Sequence, residues 1–247
     1  MAPRMHILNG RGVRDAAASP PVTRSFSFRT VAPSLTRSVV TRFATVDRIA
    51  RAYQATLTKA DLTEFVAYGF ALRNSEPARL AAGKTVVDAL DESWKGMSAI
   101  NEIRNVNACI RDQSRGRSEW RSTAVWVGRV PRARSVFEGA APQDIPRLMS
   151  VWNSFHERNI PLSLQLAVSS LRLLQIHPFL DGNGRTARWM ALRLARRHPS
   201  VSVGFDSLIA SVWRKGAAFR HACSASVIEQ EDWEPWLNAW SDESVFK

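Results

Sequence analysis

The chain has 247 residues, of which 45% are hydrophobic and 23% are charged, as expected for a globular protein with one sizeable core plus extensions. No uninterrupted apolar run approaches the roughly 20 residues that a membrane-spanning helix needs, which excludes an integral membrane fold. The two cysteines, Cys109 and Cys223, are too few for a disulfide scaffold or a cysteine zinc cluster. We therefore expect a reducing, cytoplasmic compartment and no membrane partner.

The charge of the chain is strongly positive. There are 34 Lys and Arg residues against 22 Asp and Glu residues, a net charge of +12, and 29 of the cations are Arg. Guanidinium binds oxyanions in a fork, so this balance indicates a nucleic acid, a nucleotide or an acidic partner. The alternative is that most of these arginines only solvate the surface.

Residues 1–45 differ in composition from the rest, since they are rich in Arg, Ser and Thr and poor in acids. Pro20, Pro21 and Pro33 interrupt the segment. It has few residues with which to build a core, so we predict a flexible arm, followed by the folded domain at 46–247. Such a leader is similar to an organelle transit peptide, a bacterial secretion leader or a disordered basic tail, which composition does not separate.

From about Thr45 onward, apolar residues recur at spacings of three and four, which predicts helices through most of the chain. The pattern continues over 79–110 and again over Ile145–Phe155 and Leu162–Ile176. The last of these segments is apolar on most sides, so it should be the central buried helix.

The segment 119–141 departs from this pattern. Short β-prone runs at 124–127 and 135–137 are separated by Gly128, Pro131 and several arginines. The pattern favours a small β-hairpin, and a surface loop with two apolar anchors is the alternative.

Residues 177–188 follow the predicted buried helix directly and read HPFLDGNGRTAR. Pro178 disfavours helical geometry at His177, so that residue should lie where the helix ends. The next residues, 181–184, tolerate turns and positive φ, and a second helix should start near Arg185 and run to about Arg197.

Two arginines, Arg185 and Arg188, stand in the first turn of this second helix, where the helix dipole disfavours cations. A glycine-flanked turn that leads into a helix N-terminus presents backbone N–H groups, and two added guanidinium groups would make it a phosphate site. The alternative is that both arginines pair with surface acids.

Two further residues of the segment suit chemistry on a bound phosphate. Asp181, as a single carboxylate beside phosphates, could hold Mg²⁺, or it could be a turn aspartate. His177, between a buried helix and two cations, should have a lowered pKa and stay neutral, as a general base requires; a structural histidine is the alternative.

These residues resemble the signature of the Fic (filamentation induced by cAMP) family, which reads His-Pro-Phe, two residues, Gly-Asn-Gly-Arg, two residues, Arg. Every defined position matches. The resemblance extends to a flap segment at 119–128, a helix start at 142–149 and a closing helix at 232–237, and covers roughly residues 50 to 240. It implies an all-α fold, a Fic-type helical bundle with a small β-hairpin flap and an N-terminal helical extension.

The resemblance also implies an activity, that of a protein adenylyltransferase that transfers AMP from ATP to a Ser, Thr or Tyr hydroxyl and releases pyrophosphate. His177 would be the base and Asp181 would hold Mg²⁺. ATP, the co-substrate, would be bound by the glycine turn and both arginines: Gly182, Asn183, Gly184, Arg185 and Arg188. Some relatives transfer UMP, phosphate or phosphocholine instead.

The family further implies a target protein that docks on the flap near Trp126 and Val127 as an added strand. Two other functions are open: a basic nucleic-acid binding module, which is less expected, and a Fic fold without catalysis, which the intact motif argues against.

Many relatives carry an inhibitory helix whose glutamate pairs with the second motif arginine. The run from Ser98 through Glu102 to Ile103 fits that pattern in part. Glu102 is therefore a candidate internal brake, with an ordinary helical glutamate as the alternative. A separate antitoxin chain, or a toxin or effector without a brake that is secreted into a host cell, would otherwise be expected.

Overall fold

The computed structural model describes residues 35–53, 98–111, 117–128, 135–155, 158–198, 203–214 and 233–246. Helices make up most of these residues, and their β structure is one two-stranded antiparallel ladder. The predicted all-α class and the predicted hairpin are therefore confirmed. Residues 1–34, which hold most of the predicted arm, and the helices predicted between 54 and 97 lie outside the described residues.

Seven α-helices lie in the described parts of the chain: α1 (Arg37–Ala52), α2 (Ala99–Ile110), α3 (Ile145–Phe155), α4 (Leu162–Ile176), α5 (Asn183–Arg197), α6 (Val203–Arg214) and α7 (Glu234–Trp240). The strands β1 (Trp126–Gly128) and β2 (Ser135–Glu138) lie between α2 and α3. Single turns of 3₁₀ helix occupy Pro142–Asp144 and Glu243–Phe246. The bounds of α3 and α4 agree with the prediction, and α5 begins two residues before Arg185.

The first helix begins earlier than predicted. The side-chain oxygen of Thr36 accepts a hydrogen bond from the backbone N–H of Val39 and caps the helix. Residues 37–45, which the sequence analysis assigned to the arm, therefore belong to α1. The abundance of Arg, Ser and Thr concealed an apolar face with spacings of three and four, whose buried members are Val39, Phe43, Val46 and Ala50.

Helix α4 is the centre of the molecule, as predicted. All of its residues except Gln165 are buried, and α1, α3, α5 and α7 pack against it. The carboxylate of Asp47 in α1 caps its start, accepting from the N–H groups of Leu162 at 2.7 Å and Ser163 at 2.9 Å. A helix buried on all sides holds the chain that leaves its C-terminus in a fixed place.

Helix α5 packs against α4 and also contacts α2 and α6. The loop between α4 and α5 therefore has α2 beside it. In the described parts of the chain, no helix combines the length and apolar character needed to cross a bilayer.

The two strands pair antiparallel, with Trp126 opposite Glu138, Val127 opposite Phe137 and Gly128 opposite Ser135. The register is irregular between Val127 and Gly128, which locally increases the twist of such a ladder. Among the described residues this ladder contains no third strand.

Candidate active site

The loop between α4 and α5 contains the two left-handed backbone positions found among the described residues. His177 ends α4 with φ 51° and donates its backbone N–H to Leu173 at 3.0 Å. Gly182 precedes α5 with φ 81°. A left-handed residue other than glycine is costly, so the position of His177 depends on the contacts around it.

The imidazole of His177 is partly buried, and its Nδ1 lies 3.2 Å from the carbonyl oxygen of Leu174. A carbonyl can only accept, so this bond places the ring proton on Nδ1 and the lone pair of the neutral ring on Nε2. Burial lowers the pKa of His177 to about 4, although the bond to Leu174 opposes this shift. The ring is therefore neutral at physiological pH, the form that a general base needs.

The cation that further lowers the pKa of His177 is Arg121, whereas the sequence analysis expected the two motif arginines. Arg121 is buried, and burial lowers its own pKa to about 10 while the charge of Glu138 opposes that shift. It was missed as a site residue because it lies 56 positions from His177. The signal that was available is an arginine three residues before the short β-prone run at 124–127.

Asn183 braces the loop from inside. Its side-chain oxygen accepts from the N–H of Phe179 at 3.0 Å, and its amide donates to the carbonyl of the same residue at 2.8 Å. The side chain is buried and committed to these two bonds. Asn183 can therefore contribute to an anion site through its backbone N–H in the first turn of α5.

Asn107 of α2 supports the loop from the other side, and sequence reasoning did not find it. Its amide donates to the carbonyl of Asp181 and to the hydroxyl of Thr186, both at 3.0 Å. A Cβ on Gly182 would lie 2.8 Å from this amide nitrogen, so only glycine allows α2 to come this close. At Gly184, by contrast, nothing lies within 4 Å of such a Cβ.

Asp181 and Arg185 contact each other. One carboxylate oxygen of Asp181 accepts from the backbone N–H of Gly182 at 2.7 Å, and the other lies 3.2 Å from the guanidinium of Arg185. Arg185 also donates to the carbonyl of Ile110 at the end of α2, at 3.3 Å. Asp181 therefore pairs with Arg185 in this structure. The alternative that the motif arginines pair with surface acids holds for Arg185.

Arg188, one turn further along α5, lies over the ring of Trp213 in α6, with its guanidinium carbon 4.9 Å from the ring centroid. This is a cation–π contact. Arg185 and Arg188 therefore belong to the same end of α5 but rest against different neighbours, α2 and α6.

Glu102 does not pair with Arg188. Its carboxylate is fully buried, with Arg193 at 3.5 Å and Arg197 in closer contact, about three and four turns beyond the loop. The proposal that Glu102 acts as an internal brake is therefore wrong in this structure, because the side chain joins α2 to the far half of α5. Its partial match to the inhibitory pattern is explained by an ordinary helix start, capped by Ser98.

The donor set near the loop suits a metal that is shared with a ligand. Among the described residues, no group of three or more His, Cys, Asp and Glu side chains lies close enough to hold an ion. The side chain of Asp181 is half exposed. Mg²⁺ commonly uses one or two carboxylates together with phosphate oxygens and water, so a single carboxylate beside a helix N-terminus fits that ion.

Two large apolar side chains near this loop are exposed: Leu180 within it, at 54%, and Trp126 on β1, at 39%. The backbone of Val127 lies in the ladder beside Trp126.

The fold and the site define a helical bundle whose buried central helix ends at a histidine, followed by a glycine turn and a basic helix start. The comparisons identify the same class of protein. Residues 98–195 match the family model described as the Fic/DOC family. Residues 98–195 therefore form a Fic domain, which confirms the resemblance found in the sequence.

A curated relative is "Protein adenylyltransferase Fic" of Nematostella vectensis, 35% identical over 94 residues that make up 35% of this chain and 20% of the relative. The match thus spans about a fifth of that protein's length. A Fic family protein of Desulfovibrio desulfuricans shares the fold with a TM-score of 0.55 at 17% identity, over 83% of this chain and 61% of that one. A Fic domain containing signaling protein of Bacteroides thetaiotaomicron has a TM-score of 0.50 at 19% identity, over 86% and 88% of the two chains.

Proposed function

We propose that the protein is a Fic-type transferase, and specifically a protein adenylyltransferase that moves AMP from ATP to a Ser, Thr or Tyr hydroxyl of a target protein. The observation that carries this proposal is the state of His177, which is neutral, has its proton held at Nδ1 by Leu174 and lies where α4 ends and the loop to α5 begins. The curated relative bears the name of this activity.

In this proposal the N-terminus of α5 binds the phosphates. The first-turn N–H groups of a helix have no partner within the helix and favour anions. Arg185 and Arg188 would add their guanidinium groups, and Asp181 would hold Mg²⁺, which supplies charge neutralisation on the phosphates when bound.

The chemical step needs only one proton acceptor. The hydroxyl oxygen of the target bonds to the α-phosphorus as the bond to pyrophosphate breaks, and the hydroxyl proton passes to Nε2 of His177. The protein supplies orientation and charge stabilisation, which together account for most of the catalysis expected of such a site.

We further propose that the target lies along the hairpin. A strand edge can pair with an extended segment, and the exposed Trp126 and Leu180 would contact side chains of that segment. This arrangement would bring a hydroxyl of the target towards His177.

The test is transfer of label from ATP to protein, with Mg²⁺ and a cell lysate as the source of targets. We expect transfer from α-labelled ATP and none from γ-labelled ATP. Transfer from γ-labelled ATP alone would contradict adenylylation and indicate phosphate transfer. Parallel reactions with labelled UTP and labelled CDP-choline would reveal transfer of UMP or phosphocholine.

Two substitutions sharpen this experiment. His177→Ala should abolish transfer with ATP affinity largely retained, because the imidazole acts on the hydroxyl, and His198→Ala at the end of α5 is the matched control. Arg188→Ala should weaken ATP binding, measured by titration calorimetry. A His177→Ala protein with full activity would contradict the general-base assignment.

The net charge of +12 also favours a second candidate, binding of a nucleic acid. In that case affinity for DNA or RNA should fall steeply with salt and survive His177→Ala.

Since Glu102 is not a brake here, restraint by a separate antitoxin chain stays a prediction, which co-purification can test.

A further inference from the structure

Arg121 makes an unusual set of contacts. Its guanidinium donates to four main-chain carbonyls: His177 and Thr123 at 2.7 Å, Ile176 at 3.2 Å, and Ala140. All four acceptors are neutral, so what these bonds fix is geometry rather than a charge pair. Five N–H donors in one rigid plane allow this, and no other side chain has them.

These four carbonyls come from two places that are far apart in sequence. Thr123 precedes β1 and Ala140 follows β2, so both lie at the base of the hairpin. Ile176 and His177 end α4, where helix carbonyls have no intrahelical partner. Arg121 therefore joins the base of the hairpin to the backbone that carries the imidazole.

Three backbone hydrogen bonds run along the same junction. Arg121 donates its N–H to Pro178 at 3.0 Å, Ala140 donates to Ile176 at 3.3 Å, and Gly139 donates to Val125 at 3.0 Å. The guanidinium is thus the centre of a continuous connection between flap and loop.

Gly139 shows how closely these parts approach. A Cβ there would lie 2.9 Å from a guanidinium nitrogen of Arg121 and 3.0 Å from the Cβ of His177. Both distances are shorter than ordinary van der Waals contact allows. Any side chain at Gly139 would therefore push the guanidinium or His177 out of place.

We infer that Arg121 is a positioning residue: it holds the imidazole of His177 and the hairpin at a fixed separation, so that a hydroxyl presented by the hairpin meets Nε2. This inference rests on the proposed transfer function. It gives the buried arginine a part in the reaction, although it touches neither the nucleotide site nor the target.

The test compares Arg121→Lys with Arg172→Lys. A lysine keeps the charge but cannot span four carbonyls, and Arg172 is an equally buried arginine that contacts Gln175 and Trp233 instead. For Arg121→Lys we expect kcat of AMP transfer to fall at least about tenfold, with KM for ATP changed less than about threefold, because misplacement of the reacting groups affects turnover rather than binding. Arg172→Lys should lower Tm alone.

A second arm does not depend on transfer. In Arg121→Lys, hydrogen exchange at the amides of Gly139 and Ala140 should accelerate by at least about tenfold while amides within α4 keep their protection. Nitrogen NMR of the imidazole should show the Nδ1–H tautomer in the wild type and a mixture of tautomers in the variant. Gly139→Ala, which leaves the arginine in place, should reproduce both effects, and it serves if Arg121→Lys does not fold.

The outcomes separate this inference from the proposed function. If the wild type transfers nothing, the proposed function fails, and the exchange and tautomer measurements alone decide whether Arg121 positions His177. If both arginine variants lose activity only in proportion to Tm, and the amides of Gly139 and Ala140 exchange as in the wild type, the positioning role is wrong.

Discussion

At the scale of single residues, His177 agrees with expectation in its position and charge and differs in the partners around it. The sequence indicated a neutral histidine at a helix end, and both features are present. The carbonyl of Leu174 that sets the tautomer and the cation that faces the ring were not predictable. Leu174 becomes a partner only because His177 turns left-handed, and Arg121 arrives through the folding of a distant segment.

The low pKa of His177 gives a prediction for the pH dependence of transfer. A histidine whose pKa falls from 6.5 to about 4 stays neutral throughout that interval. The rate should therefore be level from about pH 8 down to about pH 5.5 and decline only as the pH approaches about 4. Initial rates across this range, with Tm recorded at each pH, provide the measurement. A decline centred near pH 6.5 in folded protein would show an unperturbed histidine.

The two glycines of the loop should respond differently to substitution. Gly182→Ala should lower the free energy of unfolding by at least about 1 kcal/mol, because φ is positive and the new Cβ would press on Asn107. Gly184→Ala is the control. It should leave the free energy of unfolding unchanged or raise it by at most about 1 kcal/mol, since the new Cβ lies in open space within a helix. Urea denaturation of both variants measures the difference, and equal losses would contradict the geometry described for Gly182.

At the scale of elements, periodicity predicted α3, α4 and α5 closely because their apolar faces pack on one core. It failed at α1, where polar and basic residues between Val39 and Val46 suggested an arm. The short β-runs predicted the hairpin, but its attachment to α4 through Arg121 involves bonds between side chain and backbone, which no periodicity records. Pairing across elements is the part of the site that the sequence did not reveal.

The contact between α2 and α5 carries a prediction about Glu102. Glu102→Gln should lower the free energy of unfolding by about 3 kcal/mol, because it leaves two arginines beside a buried neutral amide. Transfer by the folded variant should not increase. Glu119→Gln removes an exposed carboxylate that pairs with Arg104, and as the control it should cost less than about 1 kcal/mol.

Denaturation and label transfer on the same preparations supply both readings for this pair of variants. Unchanged stability and several-fold higher transfer in Glu102→Gln would instead support the hypothesis that Glu102 inhibits the enzyme.

At the scale of the whole molecule, the bundle is organised around α4, and a different side chain binds each end of this helix. Asp47 caps its N-terminus from α1, and Arg121 takes the carbonyls at its C-terminus. The sequence predicted that α4 is central from composition alone. Neither end contact could be predicted, since the partners lie 115 and 55 positions away.

The cap at the start of α4 gives a prediction for global stability. Asp47→Ala should lower the free energy of unfolding by about 2 kcal/mol or more, because it leaves buried N–H groups of Leu162 and Ser163 without acceptors. The control is Asp144→Ala, which removes only a half-exposed ion pair at 3.9 Å and should cost less than about 1 kcal/mol. Chemical denaturation of both variants decides, and similar losses would show that the cap does not stabilise the bundle.

The bonds at the base of the hairpin also determine how the protein should respond to salt and mild acid. Its central bonds join a cation to uncharged oxygens in the interior, where dissolved counter-ions have little access, and none of those oxygens takes up a proton in mild acid. The surface pair of Arg104 and Glu119 lacks both protections. Concentrated electrolyte should therefore loosen that outer pair and leave the hairpin seated where it is.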